Sequence, residues 1–174
     1  GQSLSESFTI LKDPRSEVSQ EDMQAQFDFL LSIRDKVTEV HEGIQDIRSL
    51  RKQIKAYDKR IGEAAYPEIK TQIQLIDSTI TTVEKALYQP KNQSRQDPLN
   101  FPIRLNNKLA HLNSLMQVGY DRPTQQAIQV RDELNRLIDE ELDTWKNILE
   151  KELPKLNSMI RESEINPIEL KKRE

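Results

Sequence analysis

The sequence predicts an all-α fold: an antiparallel bundle of long helices, preceded by a short β-like leader. Apolar residues recur every three or four positions over most of the chain, which is the spacing of one helix face. Only 4 of the 174 residues are glycine, and 35% hydrophobic with 32% charged residues suits helices that have one apolar stripe and wide solvated faces. Proline-containing breaks divide this pattern into helical segments.

The first 16 residues form a polar leader that contains one apolar run of β character, Phe8-Thr9-Ile10-Leu11. Asp13-Pro14 ends this run. Four residues cannot form a sheet alone, so the run is either disordered or the last strand of a preceding domain, and we favour the strand. The bundle is predicted over residues 17–164, followed by a tail at 165–174.

One uninterrupted helix is predicted over residues 19–61. Ser19 is placed to cap its first turn, with Asp22 three residues later. Gly43 lies in the middle of this helix and should weaken it, and we interpret it as a point where a neighbouring helix approaches closely. The stripe that should be buried consists of Phe27, Leu30, Ile33, Val37, Val40, Ile44, Ile47, Leu50, Ile54, Tyr57 and Ile61.

The second helix is predicted to open at Pro67 and to end at Leu87, before a polar loop at 89–100. The third is predicted from Phe101 to Val118, with Asn100 as its cap and Pro102 in its first turn.

The fourth helix is predicted to be capped by Asp121, with Pro123 in its first turn. Pro154 should kink this helix, because its ring removes one backbone hydrogen bond. The apolar stripe nevertheless resumes beyond the proline, which predicts a continuation to about Ser163. The stripe predicted for this helix is Ile128, Leu134, Ile138, Leu142, Trp145, Leu149 and Leu153, and it resumes at Leu156 and Ile160.

The lengths of these segments leave two arrangements open. Helix one, helices two and three together, and helix four with its extension each span about 40 residues, or roughly 60 Å. This favours three rods with an interrupted middle rod. The alternative is a four-helix up-down bundle in which helices two and three form a hairpin.

Residues that carry catalytic or metal chemistry are sparse. The chain has no cysteine, and neither His41 nor His111 lies in a metal-ligand spacing. The acidic run Asp139, Glu140, Glu141 and Asp143 is interpreted as a solvated face. The 26 basic and 29 acidic residues are interspersed, so nucleic acid is not an expected partner. No apolar run approaches the roughly 20 residues that span a bilayer. We therefore predict no catalytic residue, no cofactor, no metal and no membrane insertion.

The segment from Asp97 to Leu109 is the densest in polar residues, prolines and asparagines. If it opens a helix, its cations could hold a carboxylate or phosphate near the helix N-terminus. The structural interpretation, in which its asparagines and prolines cap and turn the backbone, is favoured. The candidate anion patch consists of Asn100, Arg104, Asn106, Asn107 and Lys108.

That segment is also the most specific part of a wider pattern. Matching pieces along the chain are Phe8 to Arg15, Gln26-Phe27, Ile47-Arg48, Leu50-Arg51, Asp97 to Leu109, Pro123-Thr124, Leu153-Pro154 and Leu156-Asn157. Together they resemble the C-terminal helical region of bacterial sortilin-type β-propeller proteins, which are often labelled glycosyl hydrolases or BNR-repeat sialidases.

The resemblance implies an accessory bundle that follows a β-propeller in the same polypeptide, with the Phe8 strand finishing the propeller domain. It also implies export to the periplasm or cell surface. The hydrolase label does not extend to this chain, because Gly43, Gly62 and Gly119 lie in no Ser-x-Asp-x-Gly repeat.

Three functions follow as hypotheses. The first is a non-catalytic structural or interaction module that presents a rigid helical face to the propeller or to another protein. The second is a glycan- or anion-binding module that uses residues 97–109. The third is self-association, because long apolar stripes can be shared between chains.

Overall fold

The computed structural model of the chain describes residues 3–62 and 66–163. Within these ranges the fold is all-α, as predicted, and no strand occurs. The predicted tail at 165–174 lies outside the described residues. The helical elements are α1 (Gln20–Ile61), α2 (Pro67–Leu87), a 3₁₀ turn (Asp97–Leu99), α3 (Leu105–Met116), α4 (Gln125–Asn147), a π-helical turn (Ile148–Glu152) and α5 (Leu153–Glu162).

Helices α2 and α3 follow each other along α1, in the direction opposite to it. Near the start of α2, Lys70 forms an ion pair of 3.5 Å with Asp58, close to the end of α1. At the end of α3, the carbonyl of Met116 accepts a 2.7 Å hydrogen bond from Gln26, near the start of α1. The middle rod is therefore interrupted, and helices two and three do not form a hairpin.

The third rod, from α4 through α5, runs parallel to α1. Arg122, just before α4, pairs with Asp22 at 2.6 Å, and further along Asp139 pairs with Lys36 at 2.8 Å. The residue numbers of the paired side chains increase together along α1 and α4, so the two helices run in the same direction. The structure thus has the three-rod arrangement, and α1, with 42 residues, spans about 63 Å.

The core lies along the seam between the three rods. The predicted stripe of α1 is mostly buried, but it is wrong at Phe27, which is exposed while Phe29 is buried. A helix face with a spacing of three or four residues can include either Phe27, three residues before Leu30, or Phe29, four residues before Ile33. The face carrying Gln26, Phe29 and Ile33 turns inward because Gln26 reaches the backbone at the end of α3.

Pro154 is accommodated by the π-helical turn. The N–H of Leu153 bonds to the carbonyl of Ile148, five residues back, and the helix continues into α5 as predicted. One extra residue in this turn rotates the stripe by one position. Burial of Leu149 was therefore a wrong prediction: Leu149 is exposed and Ile148 is buried in its place.

Two of the predicted helix starts are confirmed. The Ser19 hydroxyl accepts the N–H of Asp22 at 3.0 Å and caps α1, and Pro67 is the first residue of α2.

The predicted start of α3 is wrong by four residues. Asn100 ends the 3₁₀ turn by donating its N–H to the Asp97 carbonyl at 2.9 Å, so it does not cap α3. Pro102 disfavours helical geometry at the preceding residue. In addition, the Pro102 carbonyl accepts a hydrogen bond of 3.2 Å from the side chain of Gln89, which holds this stretch against the loop. Arg104 occupies the N-cap position, without a capping side-chain hydrogen bond.

The predicted start of α4 is also wrong. Its cap is Thr124, whose hydroxyl accepts the Ala127 N–H at 3.2 Å, and not Asp121. Pro123 therefore precedes the helix. The proline keeps Arg122 away from helical geometry, which delays the helix start.

Candidate functional site

The candidate anion patch is divided by the fold. Asn100, Arg104 and Lys108 are exposed, Asn107 is half-buried, and Asn106 is only 3% exposed. Arg104 and Lys108 lie one helical turn apart, since the Lys108 N–H bonds to the Arg104 carbonyl at 3.0 Å. Within the described residues the buried Asn106 Oδ1 has no hydrogen-bond partner, and as an acceptor it favours a donor over an anion. Anion binding by this patch stays a prediction.

The residues that were considered for metal or acid–base chemistry lie mostly at the surface. His41 and His111 are exposed, and His41 contacts the ring of Tyr88 edge-on with 6.2 Å between centroids. In the acidic run, Asp139 and Glu140 are exposed and paired with Lys36 and Arg136. Among the described residues, no group of three His, Cys, Asp or Glu side chains is arranged to hold a metal ion.

The most buried charge network joins α1 to α2 around Glu84. Arg48 Nε donates to one carboxylate oxygen of Glu84 at 2.7 Å, and Arg51 Nη1 donates to the other. Arg51 Nε also pairs with Asp77 at 3.2 Å. Burial alone would raise the pKa of Glu84, but the hydrogen bonds from the two guanidinium groups lower it below its ordinary value.

Glu84 is thus held ionised at neutral pH, and its ion pairs with Arg48 and Arg51 link α2 to α1. Sequence reasoning missed this network, although Arg48 and Arg51 flank buried positions of the α1 stripe.

A buried glutamine holds the end of α3. The Nε2 atom of Gln26 donates to the carbonyls of Met116 at 2.7 Å and Gly119 at 3.0 Å. The last carbonyls of a helix lack partners within the helix, so this side chain satisfies part of the C-terminal end of α3. Sequence reasoning passed over Gln26 because it assigned the buried stripe to apolar residues alone.

An acidic groove of about 610 Å³ runs between α1 and α4. Gly43 lies within it, and a Cβ atom added there would be 3.3 Å from Leu142 Cδ2. The close helix approach that was predicted at Gly43 is therefore confirmed. The carboxylates that line the groove are Glu39, Glu42, Asp46, Asp139 and Asp143.

The leader is attached to the bundle by a short turn with many hydrogen bonds. The Asp13 carboxylate accepts hydrogen bonds from the backbone N–H of Arg15 at 2.9 Å and from its guanidinium group at 3.1 and 2.9 Å. The Ser16 N–H bonds to the Asp13 carbonyl at 3.0 Å, and Lys12 Nζ donates to the Val18 carbonyl. These hydrogen bonds all lie within residues 12–18, so they shape the turn that precedes α1.

Exposed apolar side chains gather where this turn meets the bundle. We call the region where α1 begins, α3 ends and α4 begins the leader end. Val118 and Tyr120 are 82% and 64% exposed there, and Phe27 and Leu115 are also exposed. Ile10 and Leu11 of the leader, with Met23 and Tyr120 of the bundle, line a groove of about 640 Å³. Ile10 and Leu11 of the leader thus share one groove with Met23 and Tyr120, and the charged residues Lys12, Asp13 and Arg15 line the same groove.

Comparison with known proteins adds no assignment to this surface. No protein-family profile, curated protein or solved structure matches the chain. Among the described helices, none is long and apolar enough to cross a bilayer.

Proposed function

We propose that this chain is a non-catalytic structural and interaction module, a helical bundle that docks through its leader end on a β-rich domain. The observations that carry the proposal are the exposed apolar side chains of the leader and of the leader end, and the groove in which Ile10 and Leu11 meet Tyr120. Exposed apolar side chains that gather in one region commonly mark an interaction site.

The bundle behind this surface is suited to hold a fixed orientation. Its three rods share one continuous core, and its most buried carboxylate is committed to two arginines in the seam between α1 and α2. A helix of about 63 Å that is packed along its whole length bends little, so a partner bound at one end is held in a defined position relative to the other.

The β-propeller suggested by the resemblance supplies the identity of the partner in this proposal. In that reading the bundle is the C-terminal accessory part of an exported protein, and the propeller of the same polypeptide covers the leader end. The groove between leader and bundle supports a partner that contacts both at once.

The test compares this chain alone with the polypeptide that its native gene encodes. Amide hydrogen exchange at residues 115–120 should slow in the native polypeptide, because the partner domain covers Val118 and Tyr120. Val118→Asp combined with Tyr120→Asp should restore the fast exchange seen in the chain alone. Leu75→Asp is the matched control, since Leu75 is exposed on α2, away from the leader end.

Two results would overturn the proposal. One is exchange at residues 115–120 that is the same in both samples. The other is a glycosidase activity of the isolated chain. Sedimentation of the isolated chain provides a further test. A dimer that is abolished by the Val118 and Tyr120 variant would indicate that these residues serve self-association instead.

A further inference from the structure

The acidic groove between α1 and α4 is a second surface of the bundle, separate from the leader end. Its volume of about 610 Å³ lies within the range of roughly 300–1,000 Å³ that is usual for ligand clefts. Carboxylates of both helices line it, together with Leu142, Trp145 and Leu149 of α4. Leu149 is 41% exposed here, because the π-helical turn brings Ile148 into the core in its place. Turns of this kind occur frequently at functional sites.

Most of the carboxylates in the acidic groove have no cation beside them. Lys36 neutralises two of the five, since its ammonium group lies 2.6 Å from Glu39 and 2.8 Å from Asp139. Lys146 also lines the groove, but it lies 3.9 Å from Glu150. In the described part of the chain the other three carboxylates are exposed and form no ion pair; they are Glu42 and Asp46 of α1 and Asp143 of α4. The groove therefore attracts positive charge. Because the described carboxylates are not arranged to hold a metal ion, they favour an extended cation with several charges.

A buried donor in the acidic groove indicates which extended cation fits. Trp145 is 6% exposed, and its indole N–H has no acceptor among the described residues. Its Cδ1 atom, which is bonded to Nε1, lies 3.9 Å from the position of a Cβ atom at Gly43, so this edge of the ring faces the groove. The N–H of a buried tryptophan usually finds a partner. A polyamine has no acceptor to offer, and the carbonyls of a helix are already bonded, whereas an extended peptide brings a free carbonyl at each residue.

We propose that the acidic groove binds an extended segment of a partner protein that has lysine or arginine at alternate positions. This inference goes beyond the proposed function, because it concerns a different surface. Glu42 and Asp46, one helical turn apart, are separated by about 6 Å along α1. In an extended peptide every second side chain lies on the same side, with a spacing of about 6.6 Å, so cations at alternate positions match these carboxylates. The lining from Asp139 to Leu149 covers about 15 Å of α4, which accommodates about four or five extended residues.

The test titrates the chain with the acetylated and amidated peptide Lys-Ala-Lys-Ala-Lys. Trp145 is the single tryptophan of the chain, so the indole N–H signal in NMR spectra reports on the groove. We expect the peptide to move this signal downfield in a saturable way, with an affinity that falls as salt is added. Spermidine and the peptide Glu-Ala-Glu-Ala-Glu should leave the signal in place. An indole signal that does not move at millimolar peptide, or that moves equally with spermidine, would overturn the proposal.

A pair of charge-matched variants locates the binding site. Asp46→Asn combined with Asp143→Asn should weaken peptide binding about fivefold, because one exposed ion pair is lost on each helix. The matched control is Asp28→Asn combined with Asp132→Asn, which removes the same charge from the same two helices outside the groove. All four aspartates are exposed, so both variants should keep the circular dichroism spectrum of the wild type. Equal weakening by the two variants would indicate nonspecific attraction and would overturn the proposal.

Two further variants separate this inference from the proposed function. Trp145→Phe keeps an aromatic ring but removes the N–H, and calorimetry should show peptide binding about two- to tenfold weaker. An affinity equal to that of the wild type would contradict the hydrogen bond that the proposal requires. The Val118 and Tyr120 variant should bind the peptide as the wild type does. If it abolishes binding, the peptide binds at the leader end and the inference is wrong, while the proposed function stands.

Discussion

Replacing Glu84 with glutamine should destabilise the bundle, although the change conserves side-chain volume. The Glu84 side chain is 10% exposed, and its two oxygens accept hydrogen bonds from Arg48 and Arg51. Glutamine keeps one acceptor oxygen but directs its amide group at the other guanidinium. One charge-assisted hydrogen bond is lost, and the mostly buried Arg51 keeps only Asp77 as a counter-charge.

The expected size follows from the exposure of the two arginines. A hydrogen bond to a charged group contributes about 1.5–3 kcal/mol, and breaking a fully buried ion pair costs about 3–5 kcal/mol. Arg48 is 48% exposed and Arg51 is 18% exposed, so water compensates part of this loss. We expect the free energy of unfolding to fall by about 2–3 kcal/mol, or the melting temperature by roughly 5–10 °C.

The stability that Glu84→Gln loses should be largest at neutral pH and should decrease as the pH falls. The folded-state pKa of Glu84 lies below its ordinary value of 4.5, so its stabilisation is complete above that value and disappears as the pH falls through the folded-state pKa. Urea unfolding at neutral pH should therefore separate the wild type from Glu84→Gln, and at an acidic pH below the folded-state pKa of Glu84 the two should converge. Glu140→Gln is the matched control, because Glu140 also pairs with an arginine but is 60% exposed, and its midpoint should hardly change. A Glu84→Gln effect no larger than the control, or one that is equal at both pH values, would refute this reasoning.

Three further predictions concern packing, helix capping and the loop. Gly43→Val should lower the free energy of unfolding by about 1–3 kcal/mol, because the valine side chain overlaps Leu142. In Gly43→Ala the gain in helix propensity offsets a single contact of 3.3 Å, so the denaturant midpoint of this variant should stay near that of the wild type. Gln26→Leu should cost about 1–3 kcal/mol by leaving two carbonyls without a donor, and a wild-type midpoint would contradict this. Asp97 accepts the N–H groups of Gln93 and Ser94 at 2.6 and 2.7 Å, and these bonds lower its pKa. Asp97→Ala should therefore speed amide exchange at both residues while helix content by circular dichroism stays the same.

Much of the fold could be predicted because helix periodicity and proline positions act locally. Ser19 and Pro67 mark helix starts through their own chemistry, and the segment lengths indicated three rods. The stripe was wrong at Phe27 and Leu149, where a contact distant in sequence or an added π-helical residue decides which neighbour turns inward. A periodicity of three or four residues fits two adjacent registers, so it cannot make that choice.

The candidate site was less predictable, because polar residues acquire roles through partners that are far away in sequence. Arg48 lies 36 residues from Glu84, and Gln26 lies 90 residues from Met116. Neither pairing has a local pattern.

Polar side chains hold the leader end in place. Asp22 receives hydrogen bonds from Ser19 and from Arg122, at 2.7 and 2.6 Å, so the start of α1 is tied to the segment before α4. Gln26, one turn further along, holds the carbonyl of Gly119. The loop that carries Val118 and Tyr120 is thus fixed on both sides, and little conformational entropy remains to be lost when a partner covers it. In the proposed docking function, the polar side chains of Asp22, Arg122 and Gln26 would therefore contribute by holding this loop in place, and the apolar side chains of Val118 and Tyr120 would contact the partner.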